Sequence, residues 1–179
     1  MLFRFSLYGF LKNQRYFEPF LILAFVEKGM SFFAIGALIA FREIATNVLE
    51  IPSGSIADLL GRRRSMLLSF GAYLCSFVVF WLANEPWLLW PAMFLFAIGE
   101  AFRTGTHKSM IFEWLRREGR SDEKTKVYGH TRSWSKLGSA ASVVIGAALV
   151  FWLDNYAAVF LLSAVPTVGN LISLGSYPK

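Results

Sequence analysis

Charged residues and cysteines are both scarce in this sequence of 179 residues. Charged side chains make up 17% of it, whereas soluble chains average about 25% because they need a polar surface. The one cysteine, Cys75, lies within an apolar segment, has no internal disulfide partner and suits a small core position. The shortage of charge disfavours a soluble helical bundle.

Sequence signatures of enzymes and metal sites are missing as well. There is no His-Glu-x2-His cluster, no Gly-x-Ser-x-Gly elbow and no phosphate-binding loop. The net charge of +6 could suggest a nucleic acid partner, but the basic residues sit in short stretches between apolar segments and form no basic, aromatic-rich surface. We therefore predict a protein that is not an enzyme, has no metal site or cofactor, and does not bind nucleic acid.

Long apolar segments dominate what is present, since 55% of the residues are hydrophobic. Each segment is near the roughly 20 residues that a helix needs to cross a bilayer, and none shows the alternation of a barrel strand. The sequence predicts an all-α integral membrane protein, a single six-helix transmembrane bundle over residues 1–179 with a charged linker at 118–132. The predicted helices cover 8–27, 31–57, 65–83, 87–117, 133–153 and 156–175.

The positions of lysine and arginine predict how this bundle lies in the membrane. If the N-terminus is inside, the basic residues of the loops and helix ends fall on the inner side, and Lys28 alone falls on the outer side. Arg42 and Arg103 lie within predicted helices. Because short cytoplasmic loops carry the excess of Lys and Arg, we expect both termini in the cytoplasm and a multi-pass protein of the cell membrane.

One connection between apolar segments carries a distinctive motif. The residues from Gly54 to Arg64 follow the spacing Gly-x3-Asp-x2-Gly-Arg-Arg-Arg. This loop resembles the signature between helices 2 and 3 of the major facilitator superfamily of transporters, although Leu59 stands where many members carry a base. The whole chain resembles the N-terminal six-helix half of such a transporter.

The resemblance implies a conformational latch at the cytoplasmic face. In the family, the acid matching Asp58 meets the base matching Arg62 and faces the N-terminus of a helix in the other half, where the helix dipole favours negative charge. Glu113 is the best match to a further acid near the end of helix 4. The predicted latch residues are Gly54, Asp58, Gly61, Arg62, Arg63, Arg64 and Glu113.

Helix 5 departs from the pattern of the drug antiporters in this superfamily, which usually have a Gly-Pro-containing motif there. The matching stretch has no proline, which disfavours a drug/proton antiporter without excluding it. Gly138, Ser142 and Gly146 recur at every fourth residue, and such a face of small residues predicts close helix packing.

Polar residues inside predicted helices are the candidates for a pathway, because charges in a membrane are costly. Two interpretations remain open: these side chains line a central cavity that binds a polar solute or relays protons, or they form structural ion pairs. His107 is either a coupling residue or a histidine at the inner surface. The candidates are Glu18, Arg42, Glu43, Asn47, Glu50, Glu100, Arg103 and His107.

The predicted function is secondary transport of a small solute by alternating access, with or without proton coupling. In this family the site lies between two six-helix halves, and the sequence ends soon after the sixth predicted helix. We therefore expect a truncated or split transporter that lacks its C-terminal half, or a half-transporter that is active only as a dimer. The alternative from another class is a non-transporting membrane protein that serves as an assembly partner.

Overall fold

The computed structural model describes residues 2–104, 106–153 and 156–176, and the regular structure there is helical. Short 3-10 turns occupy Glu18–Phe20, Pro86–Leu88 and Ser121–Glu123. The α-helices are α1 (Leu2–Lys12), α2 (Leu21–Glu27), α3 (Phe32–Leu60), α4 (Arg62–Leu82), α5 (Leu89–Arg103), α6 (Thr106–Arg117), α7 (Lys124–Leu153) and α8 (Ala158–Gly175).

Two of the predicted membrane crossings are divided into shorter helices. The predicted segment 8–27 consists of the end of α1, a 3-10 turn and α2, because Pro19 near the start of that turn cannot donate a backbone hydrogen bond. The predicted segment 87–117 is divided after α5, where Thr104 has an extended ψ of 130°. The predicted linker 118–132 is mostly helical, since α7 begins at Lys124.

Four helical segments of the described residues are long and apolar enough to cross a membrane by themselves: Phe32–Leu60, Arg62–Leu82, Ser121–Leu153 and Ala158–Gly175. For the described part of the chain, the prediction of an all-α protein with apolar, membrane-length helices is confirmed. The count of six crossings stays a prediction, because α1 with α2 and α5 with α6 would each form a crossing from two pieces.

An aromatic core joins the helices. α4 packs against α5 and α8, α3 packs against α5, and α1 packs against α7 and α8. Phe160 of α8 lies at the centre of the aromatic contacts, with its ring centroid 4.9 Å from that of Phe80 and 5.3 Å from that of Phe17. Membrane helices gain little from the hydrophobic effect between them, so close packing of this kind stabilises the bundle.

The predicted small-residue face of α7 is confirmed as a packing surface. A methyl group built on Gly138 would lie 2.4 Å from the carbonyl oxygen of Phe10, and one on Gly146 would lie 2.9 Å from that of Tyr16. Ser142 is buried between them. These glycines allow the backbones of α7 and the N-terminal segment to approach more closely than any side chain would permit.

Large apolar side chains cover the outside of the bundle. Phe33 and Ile51 on α3 are 88% and 80% exposed, and Phe151 on α7 is 84% exposed. Such a surface suits contact with lipid or with another apolar protein surface. Cys75 also lies on the outside, so its interpretation as a core residue is wrong: it sits on the outer side of α4, whose inner side carries Phe70, Tyr73 and Phe77.

Candidate functional site

The Gly54–Arg64 motif forms the junction of α3 and α4. Gly61 has a φ of 86°, a left-handed conformation that side chains other than hydrogen rarely adopt. This residue ends α3 and lets α4 begin at the next position, Arg62. The three arginines therefore lie on the first turn of α4. We call the end of the bundle that holds them, together with Glu113, Arg116 and Arg117, the basic end.

The structure brings Arg62 to Glu113. The guanidinium Nη1 lies 3.8 Å from the Glu113 carboxylate and donates a hydrogen bond of 3.1 Å to the carbonyl oxygen of Ser109. Asp58 is exposed and makes no ion pair with any described residue. The predicted pairing of Asp58 with Arg62 is thus not formed here, because α6 supplies the carboxylate instead.

Glu113 is the centre of the charges at the basic end. Its carboxylate accepts hydrogen bonds of 2.6 Å from Arg116 and 3.1 Å from Arg117, three and four residues further along the same helix. These hydrogen bonds lower the pKa of Glu113 below its usual range. Arg63 serves another purpose, since it donates to the carbonyl oxygens of Leu174 at 3.1 Å and of Gly175, at the C-terminus of α8.

A second group of charges lies inside the bundle. Glu100 on α5 accepts hydrogen bonds from two guanidinium groups, those of Arg15 and Arg103. The hydroxyl of Tyr73 on α4 accepts from Arg103 at 3.1 Å and from Arg15 at 3.4 Å. We call Arg15, Tyr73, Glu100 and Arg103 the buried charge cluster. It links α4, α5 and the break between α1 and α2.

The aromatic ring of Phe96 supports this cluster. The guanidinium carbon of Arg15 lies 5.3 Å from the ring centroid, and that of Arg42 on α3 lies 5.9 Å from it. Contacts of this kind are attractive because the ring face carries partial negative charge. Phe96 therefore brings Arg42, a predicted pathway residue, to the edge of the buried charge cluster.

The remaining candidates on α3 stay outside the cluster. Glu43 is exposed and pairs with Arg42 at 2.5 Å, and its backbone carbonyl accepts a hydrogen bond of 2.9 Å from Asn47. Glu50 is half-buried, and no hydrogen bond from its carboxylate to the described residues is formed. Glu18 lies 3.5 Å from Arg15 but has a side chain that is 61% exposed, so it borders the cluster from outside.

His107 is buried inside the bundle and does not lie at a surface. Its ring stacks on that of Tyr8 with centroids 3.8 Å apart and meets the ring of Phe5 edge-on at 5.7 Å. Its Nε2 atom has no hydrogen-bond partner among the residues that the structure describes. Among the described residues, no three His, Cys, Asp or Glu side chains are grouped so that they could hold a metal ion.

Comparison with known proteins decides the family. A family model described as Major Facilitator Superfamily matches residues 7–177. The chain belongs to the major facilitator superfamily. It is therefore a multi-pass membrane protein from a family of transporters, in agreement with the apolar helices and with the resemblance carried by the Gly54–Arg64 motif.

Curated relatives in this superfamily include the multidrug resistance protein MdtH of Salmonella paratyphi B (strain ATCC BAA-1250 / SPB7), Salmonella newport (strain SL254) and Salmonella heidelberg (strain SL476). Each is 27% identical to this chain over 139 residues, which cover 77% of the chain and 33% of the relative. The chain thus spans about a third of the length of the curated relatives it matches.

Sequence reasoning missed two members of the buried charge cluster in this major facilitator chain. Arg15 lies at the charged interruption of the first apolar segment, and only that place in the sequence indicates that it belongs inside the bundle. Tyr73 carries no signal of its own in an apolar segment. It stands three residues after Phe70 and four before Phe77, and this helical spacing would place all three side chains on the same inward face.

Proposed function

We propose that this chain is one half of a secondary transporter that moves a small solute across the cell membrane by alternating access. The family and the share of the relatives that the chain matches support this proposal. The other half would come from further polypeptide or from a second copy. The basic end would face the cytoplasm, because Lys- and Arg-rich connections stay inside.

The observation that carries the proposal is the buried charge cluster. Ionisable residues in a membrane are costly, and by default they belong to a solute or ion pathway. Two guanidinium groups share the carboxylate of Glu100, and the further carboxylate near them, that of Glu18, is 61% exposed. The buried part of the cluster therefore carries an excess positive charge for a polar group of the solute. Arg42, Glu43, Asn47 and Glu50 would extend the pathway along α3.

Proton coupling would use two carboxylates of α3, the exposed one of Glu43 and the half-buried one of Glu50. Glu43 and Glu50 share a face of α3 at a spacing of seven residues, and neither is held as tightly as Glu100. The relatives are named multidrug resistance proteins, so we propose a small organic solute. Because the cluster leaves a positive charge, an anionic solute suits it better than a cationic one.

The basic end would act as the latch between the halves. A cavity of about 850 Å³ opens there, with Asp58, Arg62, Glu113 and Trp114 among its lining residues. Asp58 is exposed and free to meet the positive N-terminus of a helix from the other half. The Arg62–Glu113 pair would hold α4 against α6 next to that contact.

Transport by the protein in proteoliposomes tests this function. The assay follows carboxyfluorescein, an anionic dye, and ethidium, a cationic dye, under an imposed pH gradient. We expect uptake of the anionic dye, slower uptake with Glu43→Gln or Glu50→Gln, and impaired switching with Asp58→Asn. The matched control is Glu85→Gln, which removes an exposed carboxylate in the α4–α5 connection.

Two results would count against the proposal. If all of these variants transport the dye as fast as the wild-type protein, neither the carboxylates nor the latch takes part in transport. No flux of either dye by a protein that is inserted, folded and assembled with its other half would favour the alternative, a membrane protein that assists assembly without transporting.

A further inference from the structure

A second, smaller cavity lies between α1 and α7, next to α6. Its volume is about 190 Å³, below the roughly 300–1,000 Å³ of pockets for drug-sized ligands. The charged residues that line it are all cations: Lys12 on α1 and Arg132 and Lys136 on α7. We call this the cationic cavity. His107 closes its inner wall.

The cations of this cavity have no counter-charge in the described part of the chain. No carboxylate is among its described lining residues, and none of Lys12, Arg132 and Lys136 takes part in a salt bridge there. The ammonium group of Lys12 lies 5.8 Å from the centroid of the Tyr8 ring. Like charges that share a small, partly dry space repel one another, so an anion would stabilise this arrangement.

An unsatisfied buried atom points to the same ligand. His107 is 9% exposed, and its ring lines the cavity. The Nε2 atom of this ring has no hydrogen-bond partner in the described part of the chain. Leaving a buried polar atom without a partner costs free energy. Nε2 is closed off from solvent in this structure, so the imidazole, with its hydrogen on Nε2, would donate to an acceptor in the cavity after a small turn of its ring.

Most other polar side chains of the cavity wall already donate their hydrogen bonds to carbonyl oxygens. Thr131, Ser135 and Ser139 each donate a hydrogen bond to a carbonyl oxygen one turn back in α7. The Asn13 amide donates to the carbonyl oxygens of Gly9 and Ser135. The donors left for a ligand are therefore the two lysines, the arginine and the hydroxyl of Tyr128, with the imidazole of His107 behind them, a set suited to an anion with several oxygens.

We propose that the cationic cavity binds a phosphate group. Arginine matches the oxygens of phosphate with two parallel hydrogen bonds, and lysine adds point charge. The phosphate belongs either to a lipid headgroup, which basic pockets between membrane helices bind, or to a soluble phosphate compound. This site is separate from the buried charge cluster, and its occupation requires no solute transport.

Thermal unfolding of the purified protein in a neutral detergent tests the site. One arm replaces chloride by inorganic phosphate at constant ionic strength. The other arm adds phosphatidylglycerol to the micelles and compares it with diacylglycerol, which has similar chains but no phosphate. We expect a saturable rise of the melting temperature in at least one arm, and the arm identifies the source.

Charge-removing variants locate the binding. Arg132→Gln and Lys136→Gln should each weaken binding about tenfold or more, because each removes a charge-assisted hydrogen bond. Both residues are exposed at the cavity mouth, so the variants should fold. Lys126→Gln removes an exposed charge elsewhere on α7 and should bind normally. The proposal is overturned if neither arm raises the melting temperature, or if Arg132→Gln and Lys136→Gln respond as Lys126→Gln does.

Discussion

Replacement of Glu100 by glutamine should destabilise the bundle more than any other single loss of a carboxylate. The Glu100 side chain is 16% exposed, and those of Arg15 and Arg103 are 19% and 20% exposed. The variant keeps the shape but leaves two guanidinium groups beside each other with no buried counter-charge, because Glu18, which lies 3.5 Å from Arg15, is 61% exposed. Removal of one partner from a buried ion pair costs about 3–5 kcal/mol, and the partial exposure here favours the lower figure.

A loss of about 3 kcal/mol lowers the melting temperature of a chain of this size by roughly 6–12 °C. The measurement is thermal unfolding in detergent, followed by circular dichroism. Glu50→Gln is the matched control, because it removes a half-buried carboxylate that no described residue holds. We expect the free energy of unfolding of this control to lie within about 0.5 kcal/mol of the wild-type value.

A double variant tests the cause of this destabilisation. Glu100→Gln combined with Arg103→Gln removes one of the two uncompensated guanidinium groups and should recover part of the lost stability. The coupling between the two sites should be about 0.5–3 kcal/mol, as for residues in direct contact. The reasoning is refuted if Glu100→Gln is no less stable than Glu50→Gln, or if the two substitutions at the cluster are additive.

Three further predictions concern packing, backbone and charge, and thermal unfolding measures each. Gly138→Val should destabilise the fold by about 1–3 kcal/mol, since its Cβ would lie 2.4 Å from the carbonyl oxygen of Phe10. Gly129→Val has open space around it and should change stability only through the helix propensity of valine. Gly61→Ala should cost about 1–2 kcal/mol, because φ is 86°. Glu113 stabilises the fold above the pKa of an unfolded glutamate, about 4.3. Its pKa is lower in the folded protein, so this stabilisation disappears as the pH falls further. Glu113→Gln should therefore lose less stability than the wild-type protein between pH 5 and pH 3.

Hydrophobic length and motif spacing were sufficient to predict the helical class and the family. The apolar runs predicted α3, α4 and α8 closely, because each stays helical from one polar boundary to the next. The repeat of Gly138, Ser142 and Gly146 predicted the close approach of α7 to the N-terminal segment. These features depend on residues near one another in sequence, where the helical period decides which side chains share a face.

The contacts between distant residues could not be predicted in the same way. Arg15 and Glu100 are 85 positions apart, and nothing in the local pattern of either indicates the other. Arg63 was assigned to the latch, yet its guanidinium holds the C-terminus of α8. The loop motif indicated an Asp58–Arg62 pair, but α6 places Glu113 nearer to Arg62. Tertiary packing decides which carboxylate meets which base.

The accessibility of one face of α3 tests the transport account most directly. Asn47→Cys, made in a Cys75→Ser background, places a thiol on the exposed face between Glu43 and Glu50. A membrane-impermeant thiol reagent is then applied from each side of the vesicle, with and without the transported dye. Val165→Cys, at a 66% exposed apolar position on α8, serves as the control that faces lipid.

The account predicts that Asn47→Cys reacts from an aqueous side, that the dye changes which side reacts, and that Val165→Cys reacts from neither. If Asn47→Cys is as unreactive as Val165→Cys under all conditions, the polar face of α3 lies against lipid or protein, and the proposed pathway is wrong.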